Sequence, residues 1–302
     1  EDPEEYPGYE CFGYERMMPK LNLANPETAE YFCKVGRYWV EKFHIDGWRL
    51  DVASEINDGF WRKFRESVKS VKPDAILIGE VWESAAHWLD GTMFDSTMNY
   101  DFRKHCRRFF GEQTADAGEF DSRMTDMRMR YRKQTVYAQL NLLDSHDVSR
   151  FRSLCRDEES FRLAVVFQMT FPGMPSVFYG DEAGLTGIRE EEYRQPMPWD
   201  TLDESSPQFL LYQKAITLRK KEAVLRRGEY RTLLAEPGSR VYGYERYMEE
   251  DGVVESVRIF LNMEERSAQL PEELLRGEIL WQEGLKEGQL AAKGFALIRT
   301  RD

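Results

Sequence analysis

The stretch that decides the fold runs from His44 to Glu80: HIDGWRLDVASEINDGFWRKFRESVKSVKPDAILIGE. Ile45 to Val52 is an apolar run carrying Asp51 near its end. A helical pattern follows, with Phe60, Trp61, Phe64 and Val68 on one face. Ala75 to Gly79 is a second apolar run, and Glu80 closes it. The pattern reads strand, helix, strand, each strand ending in a carboxylate. In a parallel barrel the C-terminal strand ends form the active-site face. Asp51 and Glu80 are therefore expected side by side at one mouth.

A third apolar-leaning run, Val136 to Leu143, ends in Asp144-Ser145-His146-Asp147. Any one of these acids alone reads best as a helix cap, a routine place for Asp. Three on three strand ends, with Arg49 and His146 beside them, favour chemistry. Glycosidic cleavage needs one nucleophilic or basic carboxylate and one protonated carboxylic acid.

These residues carry a resemblance. GWRLDVA, GEVW and LLDSHD resemble three short motifs of the alpha-amylase family of glycoside hydrolases. Met18-Pro19-Lys20-Leu21-Asn22 resembles a further motif in its neopullulanase, cyclomaltodextrinase and maltogenic amylase form. Tyr179-Gly180-Asp181-Glu182 and Arg194-Gln195-Pro196-Met197 resemble that subfamily near the last barrel strand. The match runs over nearly the whole chain, in order and at fitting spacing.

The resemblance implies an α/β fold of the eight-stranded (β/α) barrel type with only strands four to eight present, followed by a small antiparallel β-sandwich. Residues 1–25 then end the loop domain inserted after the third strand, 26–226 form the partial barrel and 227–302 the sandwich. Helices are expected over 26–43, opened by Asn25-Pro26-Glu27, and over 58–71, 101–110, 117–131, 160–170 and 207–221. The apolar face of the first is read as Tyr31, Val35, Tyr38 or Trp39, and Phe43. The fourth strand is placed over 45–52, the sixth over 93–98, the seventh over 136–143 and the eighth over 176–179. Strands over 230–235, 241–247, 256–261, 278–282 and 295–300 build the sandwich. The family's Asp and His at the end of the third strand have no counterpart before Met18, so the chain is expected to be a C-terminal portion.

The resemblance also assigns roles. Asp51 matches the nucleophile, and Arg49, two residues earlier on the same strand face, would hold it charged and aimed. A structural ion pair is the plainer reading of Arg49 and is compatible. Glu80 matches the general acid/base, which must stay protonated before cleavage. Trp82 either supplies apolar company for it or stacks a sugar on the acceptor side. Asp147 matches the third acid, with His146 bonded to the same sugar; His44, His87 and His105 are left to structural roles. Arg194 would bind the next sugar, helped by Glu190 unless its acidic run is a solvated loop. Glu55 follows Ser54 where the subfamily has Asn, and Val148 stands where it has Thr, so acceptor handling is where this chain departs.

Bulk properties narrow the rest. The 302 residues are 41% hydrophobic and 32% charged, ordinary for a soluble globular chain. The net charge of −12 argues against nucleic acid and anionic membranes. An alpha-glucan oligosaccharide or cyclodextrin is the expected partner, with self-association through open barrel edges. Four scattered cysteines suggest neither a zinc site nor a disulfide framework, which leans toward the cytoplasm. No cofactor or metal is expected from these residues; calcium stays open for a longer protein. The rival reading is a non-catalytic amylase-like protein, glucan-binding or transporter-associated, against which the three retained acids count.

Overall fold

The computed structural model describes residues 8–301. The chain divides into two compact units, the first ending at Met98 and the second starting at Asn99.

In the first unit, helix α1 spans Pro26–Phe43 and helix α2 spans Asp58–Val71. Asn25 opens α1 by accepting from the backbone of Glu27 and Thr28, and Asn57 opens α2 by accepting from Phe60. The two helices pack through Ala29, Cys33, Gly36 and Val40 on α1 and Phe60, Trp61, Phe64 and Val68 on α2. This corrects the expected α1 face: Tyr31, Tyr38, Trp39 and Phe43 are exposed. The reason is distance. A Cβ at Gly36 would stand 2.6 Å from the Phe64 ring, so only small side chains fit the seam. The aromatics instead cluster with one another, Trp39 and Phe43 at 4.8 Å between centroids.

Strands β1 (Gly47–Leu50), β2 (Ile76–Gly79) and β3 (Ser96–Thr97) form a parallel sheet in the order β1-β2-β3. Gly47 pairs with Ile76, and a Cβ there would meet Ile76 O at 2.0 Å. Asp95 carries the ladder past β3 by donating its N–H to Leu77 O and accepting Leu77 N–H on Oδ2, both at 2.9 Å. Its carboxylate also pairs with Arg65 and Lys69 of α2. Strand β1 comes out shorter than the expected 45–52 and β3 shorter than 93–98. Within the described part of 1–25, the chain makes a loop closed by a Cys11–Pro19 bridge.

The second unit opens with α3 (Tyr100–Cys106), continued by a π-helical turn over Arg107–Gly111, then α4 (Ala117–Met129), α5 (Lys133–Ala138), β4 (Leu140–Leu142), α6 (Phe151–Leu154), α7 (Glu158–Thr170) and β5 (Met174–Ser176). The short helix α8 (Glu190–Tyr193) precedes α9 (Pro207–Lys221) and α10 (Ala223–Arg227). β4 and β5 pair in parallel. The expected seventh strand over 136–143 is therefore half helix: Thr135 and Val136 donate to Arg132 O, and Leu140 is the first strand residue. β5 lies ahead of the place expected for an eighth strand, 176–179. Asp181 takes the Phe178 N–H at 3.0 Å and turns the chain there.

Strands β6 (Glu229–Leu234), β7 (Val241–Glu250), β8 (Val253–Asn262), β9 (Ala268–Gln269), β10 (Glu278–Lys286) and β11 (Gln289–Arg301) complete the unit. Hydrogen bonding makes them one antiparallel sheet, ordered β10-β11-β8-β7-β6 with β9 on β11, rather than the two separately bonded layers of a sandwich. Phe102, Phe109, Phe120, Phe161, Phe167 and Phe171 of the helical part share one core with Tyr242, Tyr244, Ile259 and Leu297 of the sheet. Arg246, fully buried on β7, ties the two parts by donating to Thr170 O (2.6 Å) and Leu225 O (2.8 Å).

Candidate active site

The first group of polar residues sits at the C-terminal ends of β1 and β2. The ladder continues one step past both strands, Glu80 N–H donating to Leu50 O at 2.8 Å. Asp51 then leaves the strand, and Val52 turns with a φ of +41°, a left-handed conformation that a β-branched residue adopts only under constraint. The constraint is visible. Val52 N–H donates to Glu80 Oε2 at 2.8 Å, and Ala53 N–H to Glu80 O at 3.0 Å. Trp61 Nε1 holds Ala53 O from α2 at 2.9 Å.

One guanidinium bridges the two acids. Arg49 Nη1 bonds Asp51 Oδ1, and Nη2 stands 2.7 Å from Glu80 Oε1. The environments differ sharply: the Asp51 side chain is 72% exposed, that of Glu80 only 4%. Trp82, two residues on, is about half exposed. Glu55 lies on the turn after Val52, but both its oxygens accept the Gly13 N–H at 3.1 Å and Oε2 pairs with Lys20 at 2.8 Å. Lys20, from the MPKLN stretch, and the Gly13 amide hold the Glu55 carboxyl below its ordinary range despite partial burial.

The second group follows β4. Arg194 Nη2 pairs with Asp147 Oδ1 at 2.9 Å and its Nε donates to His146 O at 2.6 Å. His146 Nε2 stands 3.0 Å from Asp147 Oδ2. Glu190 reaches the same Arg194 at 3.3 Å. Its neighbour Glu192 is a cap: it accepts the Ile188 and Arg189 N–H groups, which push its carboxyl down to about 2. So the acidic run divides into one residue on Arg194 and one holding the turn.

Sequence reasoning gave no role to Asp144, Arg150 and Asp181. All three are buried. Asp144 Oδ1 accepts the Phe151 N–H at 2.6 Å. Arg150 Nη1 donates to Asp181 Oδ1 at 2.8 Å and to Tyr179 O at 2.7 Å, its guanidinium over the Phe178 ring at 4.2 Å. The signal was present: LLDSHD and YGDE each carry an acid with no assigned task. Among the described residues, no three His, Cys, Asp or Glu side chains are grouped to hold a metal ion.

The alpha-amylase catalytic-domain model matches residues 4–205. The chain belongs to the alpha-amylase family of glycoside hydrolases. This family member is 44% identical over 247 residues to neopullulanase 2 of Thermoactinomyces vulgaris, covering 81% of the chain and 42% of the relative. It is 41% identical over 249 residues to a cyclomaltodextrinase of a Bacillus species, covering 82% and 45%. Intracellular maltogenic amylase of Bacillus subtilis strain 168 is 39% identical over 218 residues, covering 72% and 37%. A solved cyclomaltodextrinase structure superposes with a TM-score of 0.86 at 36% identity, covering 99% of this chain and 51% of the other. The alpha-amylase family chain thus combines a partial (β/α) barrel with a C-terminal antiparallel sheet, and spans less than half the length of these curated relatives.

Proposed function

We propose that this chain carries the catalytic acids of a retaining alpha-glucan hydrolase acting on cyclomaltodextrins, pullulan and malto-oligosaccharides. The observation that carries the reading is the Arg49 guanidinium bridging Asp51 and Glu80 at the ends of two adjacent parallel strands. Asp51, exposed and beside a cation, suits a nucleophile on the anomeric carbon. Glu80, buried and fixed by the Val52 amide, suits a general acid/base whose proton must go to one oxygen only. Asp147 and His146, gripped by Arg194, suit hydroxyl binding on the distorted sugar. Trp82 suits an acceptor-side platform. Glu55 fits an anchor for the 11–20 loop better than a sugar ligand, since its oxygens already have protein partners.

The β1, β2, β3, β4 and β5 strands are read as the fourth to eighth of an eight-stranded barrel, with 26–226 as the barrel portion and 227–302 as the sheet domain. The substrate class rests on the named relatives, a neopullulanase and cyclomaltodextrinases. Cytoplasmic location rests on the intracellular maltogenic amylase and on the unpaired cysteines; no helix among the described residues is long and apolar enough to cross a membrane. Transglycosylation beside hydrolysis belongs to the same proposal.

A double displacement asks the two carboxyls to lie about 5–5.5 Å apart. The test is the anomeric form of the first product released from an alpha-linked substrate, read by NMR. An α-configured product is expected; a β-configured one overturns retention. A non-catalytic glucan-binding protein is the second reading, because β1 and β5 each pair on one side only among the described residues. Assaying the 302-residue chain on pullulan and cyclodextrin beside a longer chain that includes the preceding strands separates the two.

A further inference from the structure

His146 and Asp147 lie on the turn after β4, and Arg194 lies on the stretch that follows β5. Arg194 joins the two directly, through Asp147 Oδ1 and His146 O. A second, buried connection runs between the same two stretches. Arg150, at the far end of the first turn and fully buried, donates from Nη1 to Asp181 Oδ1 at 2.8 Å and to Tyr179 O at 2.7 Å. Its guanidinium stands 4.2 Å from the Phe178 ring centre and 5.0 Å from that of Tyr179. Among the described residues, every side-chain hydrogen bond and ring contact of Arg150 therefore falls on Phe178 to Asp181. Asp181 Oδ2 accepts the Phe178 N–H at 3.0 Å and closes that turn on itself. From the turn, Tyr179 donates its hydroxyl to Gln195 O at 2.7 Å, the residue next to Arg194.

We propose that the Arg150–Asp181 pair is a positioning element for the site: it fixes the Phe178–Asp181 turn and, through the Tyr179 hydroxyl, sets Arg194 against His146 and Asp147. This rests on the reading of His146 and Asp147 as site residues. Arg150 and Asp181 are both buried and act through the backbone they hold.

The pattern of bonds favours positioning over plain support of the fold. A buried ion pair is a poor source of stability, because desolvation offsets the attraction, but its hydrogen bonds are directional and specify one arrangement. The arrangement specified here has two anchors. The stretch leading to Arg194 is held at its start from the first turn: Arg150 N–H donates to Gly187 O at 2.9 Å, Ser149 Oγ to Ile188 O at 2.9 Å, and Gly187 N–H to Ser153 Oγ at 2.8 Å. It is held at its end by Tyr179 on Gln195 O. Arg150 serves both anchors, the first with its backbone and the second with its side chain. The turn it starts from is itself fixed, since Arg103 donates to Leu143 O at 2.7 Å and to Ser149 O at 2.8 Å. Arg194 is thus set on a frame whose reference point is the turn that bears His146 and Asp147.

The experiment is NMR of the 302-residue chain with labelled histidine rings. There are four histidines, and His146→Gln assigns the peak of His146. Arg194→Ala gives the position that this peak takes when the grip is lost. Asp181→Asn keeps one accepting oxygen where the turn uses two. It should move the His146 peak toward the Arg194→Ala position and leave those of His44, His87 and His105 in place. The double variant should move it no further than Arg194→Ala alone, because both changes act on one grip. A His146 peak unmoved by Asp181→Asn overturns the proposal, as do additive shifts in the double variant or a peak unmoved by Arg194→Ala. Should Asp181→Asn not fold, Tyr179→Phe decides, since it removes one hydroxyl from a partly exposed ring. The same direction of shift is expected there, and an unmoved peak sinks the proposal. None of these spectra requires turnover, so a chain that cuts no glucan would leave the result standing, and a chain that cuts glucan with an unmoved peak would fail this proposal alone.

Discussion

At the scale of single residues, the site depends on side chains that serve two partners at once. Arg49 is the clearest, with one nitrogen on Asp51 and another on Glu80. Lysine places one point charge and cannot make that fork. Arg49→Lys in a turning-over enzyme should lower kcat by roughly ten- to a hundredfold, the loss of a charged hydrogen bond of about 1.5–3 kcal/mol. Steady-state kinetics on a cyclodextrin would check it; an unchanged kcat would return Arg49 to a purely structural ion pair. Arg194→Ala should raise KM for longer oligosaccharides more than for a minimal aryl glucoside, since Arg194 grips Asp147 and the backbone beside it. Equal effects on both substrates would count against its role. Asp51, Glu80, Asp147, Arg49 and Arg194 were legible as candidates because the motif resemblance gave each a role, and the structure joins them in ion pairs. Asp144 and Asp181 were not, because a buried acid and an exposed one look alike in one dimension. Only burial and the Phe151 and Phe178 amides separate them from site residues.

At the scale of elements, helix positions were easier to read than strands. α2 over Asp58–Val71 and α9 over Pro207–Lys221 came out at their expected limits, since Asn57 and Ser206 cap them and Pro207 fixes the first turn of α9. The strands expected over 45–52, 93–98 and 136–143 were over-extended because apolar runs continue into the neighbouring turns, whereas β7, β8, β10 and β11 run longer than expected. The α1 face was misread for a related reason: its aromatics are the most hydrophobic residues, yet the seam with α2 has room only for Ala29, Cys33, Gly36 and Val40. Gly36→Val should therefore cost about 1–3 kcal/mol by overpacking against Phe64, measured by urea denaturation. A neutral result would mean that α1 can slide away from α2. Asp95 offers a pH counterpart. Its carboxyl is half-buried, which alone would raise it, but the Leu77 amide, Lys69 and Arg65 outweigh burial and hold it below its ordinary value. Its stabilisation is present above the ordinary carboxylate range and is lost as pH falls through the depressed folded value. Asp95→Asn should flatten the acid limb of stability against pH and cost about 1–3 kcal/mol at neutrality. An acid limb identical to wild type would remove Asp95 from that account.

At the scale of the whole molecule, unpaired strand sides matter most. Among the described residues β1 bonds only β2 and β5 bonds only β4. The first unit, which holds β1, also exposes Tyr31, Tyr38, Trp39 and Phe43. Open amides beside apolar surface invite pairing with another chain. The isolated 302-residue chain should associate, and light scattering after size exclusion should give a mass above that of one chain. A stable monomer that hydrolyses cyclodextrin at full rate would contradict the assignment of β1 to β5 as an incomplete barrel. The C-terminal strands were recognised in the sequence as short runs separated by Gly and charged turns. Their single-sheet bonding was not, since strand order across β11 is a long-range property that no local pattern encodes.

The core shared by α7 and the sheet has a consequence for how such a gene could change. Phe167 stacks among Phe102, Phe110 and Phe120 and reaches Tyr244 at 5.6 Å between ring centroids, while Arg246 is sealed onto carbonyls of the helical part. A recombination joint near residue 227 would respect the strand pattern and still separate those partners. The last quarter of the chain is therefore not an exchangeable cassette. It must co-evolve with α7, and a swapped sheet would be tolerated only with matching changes at Phe167 and Thr170.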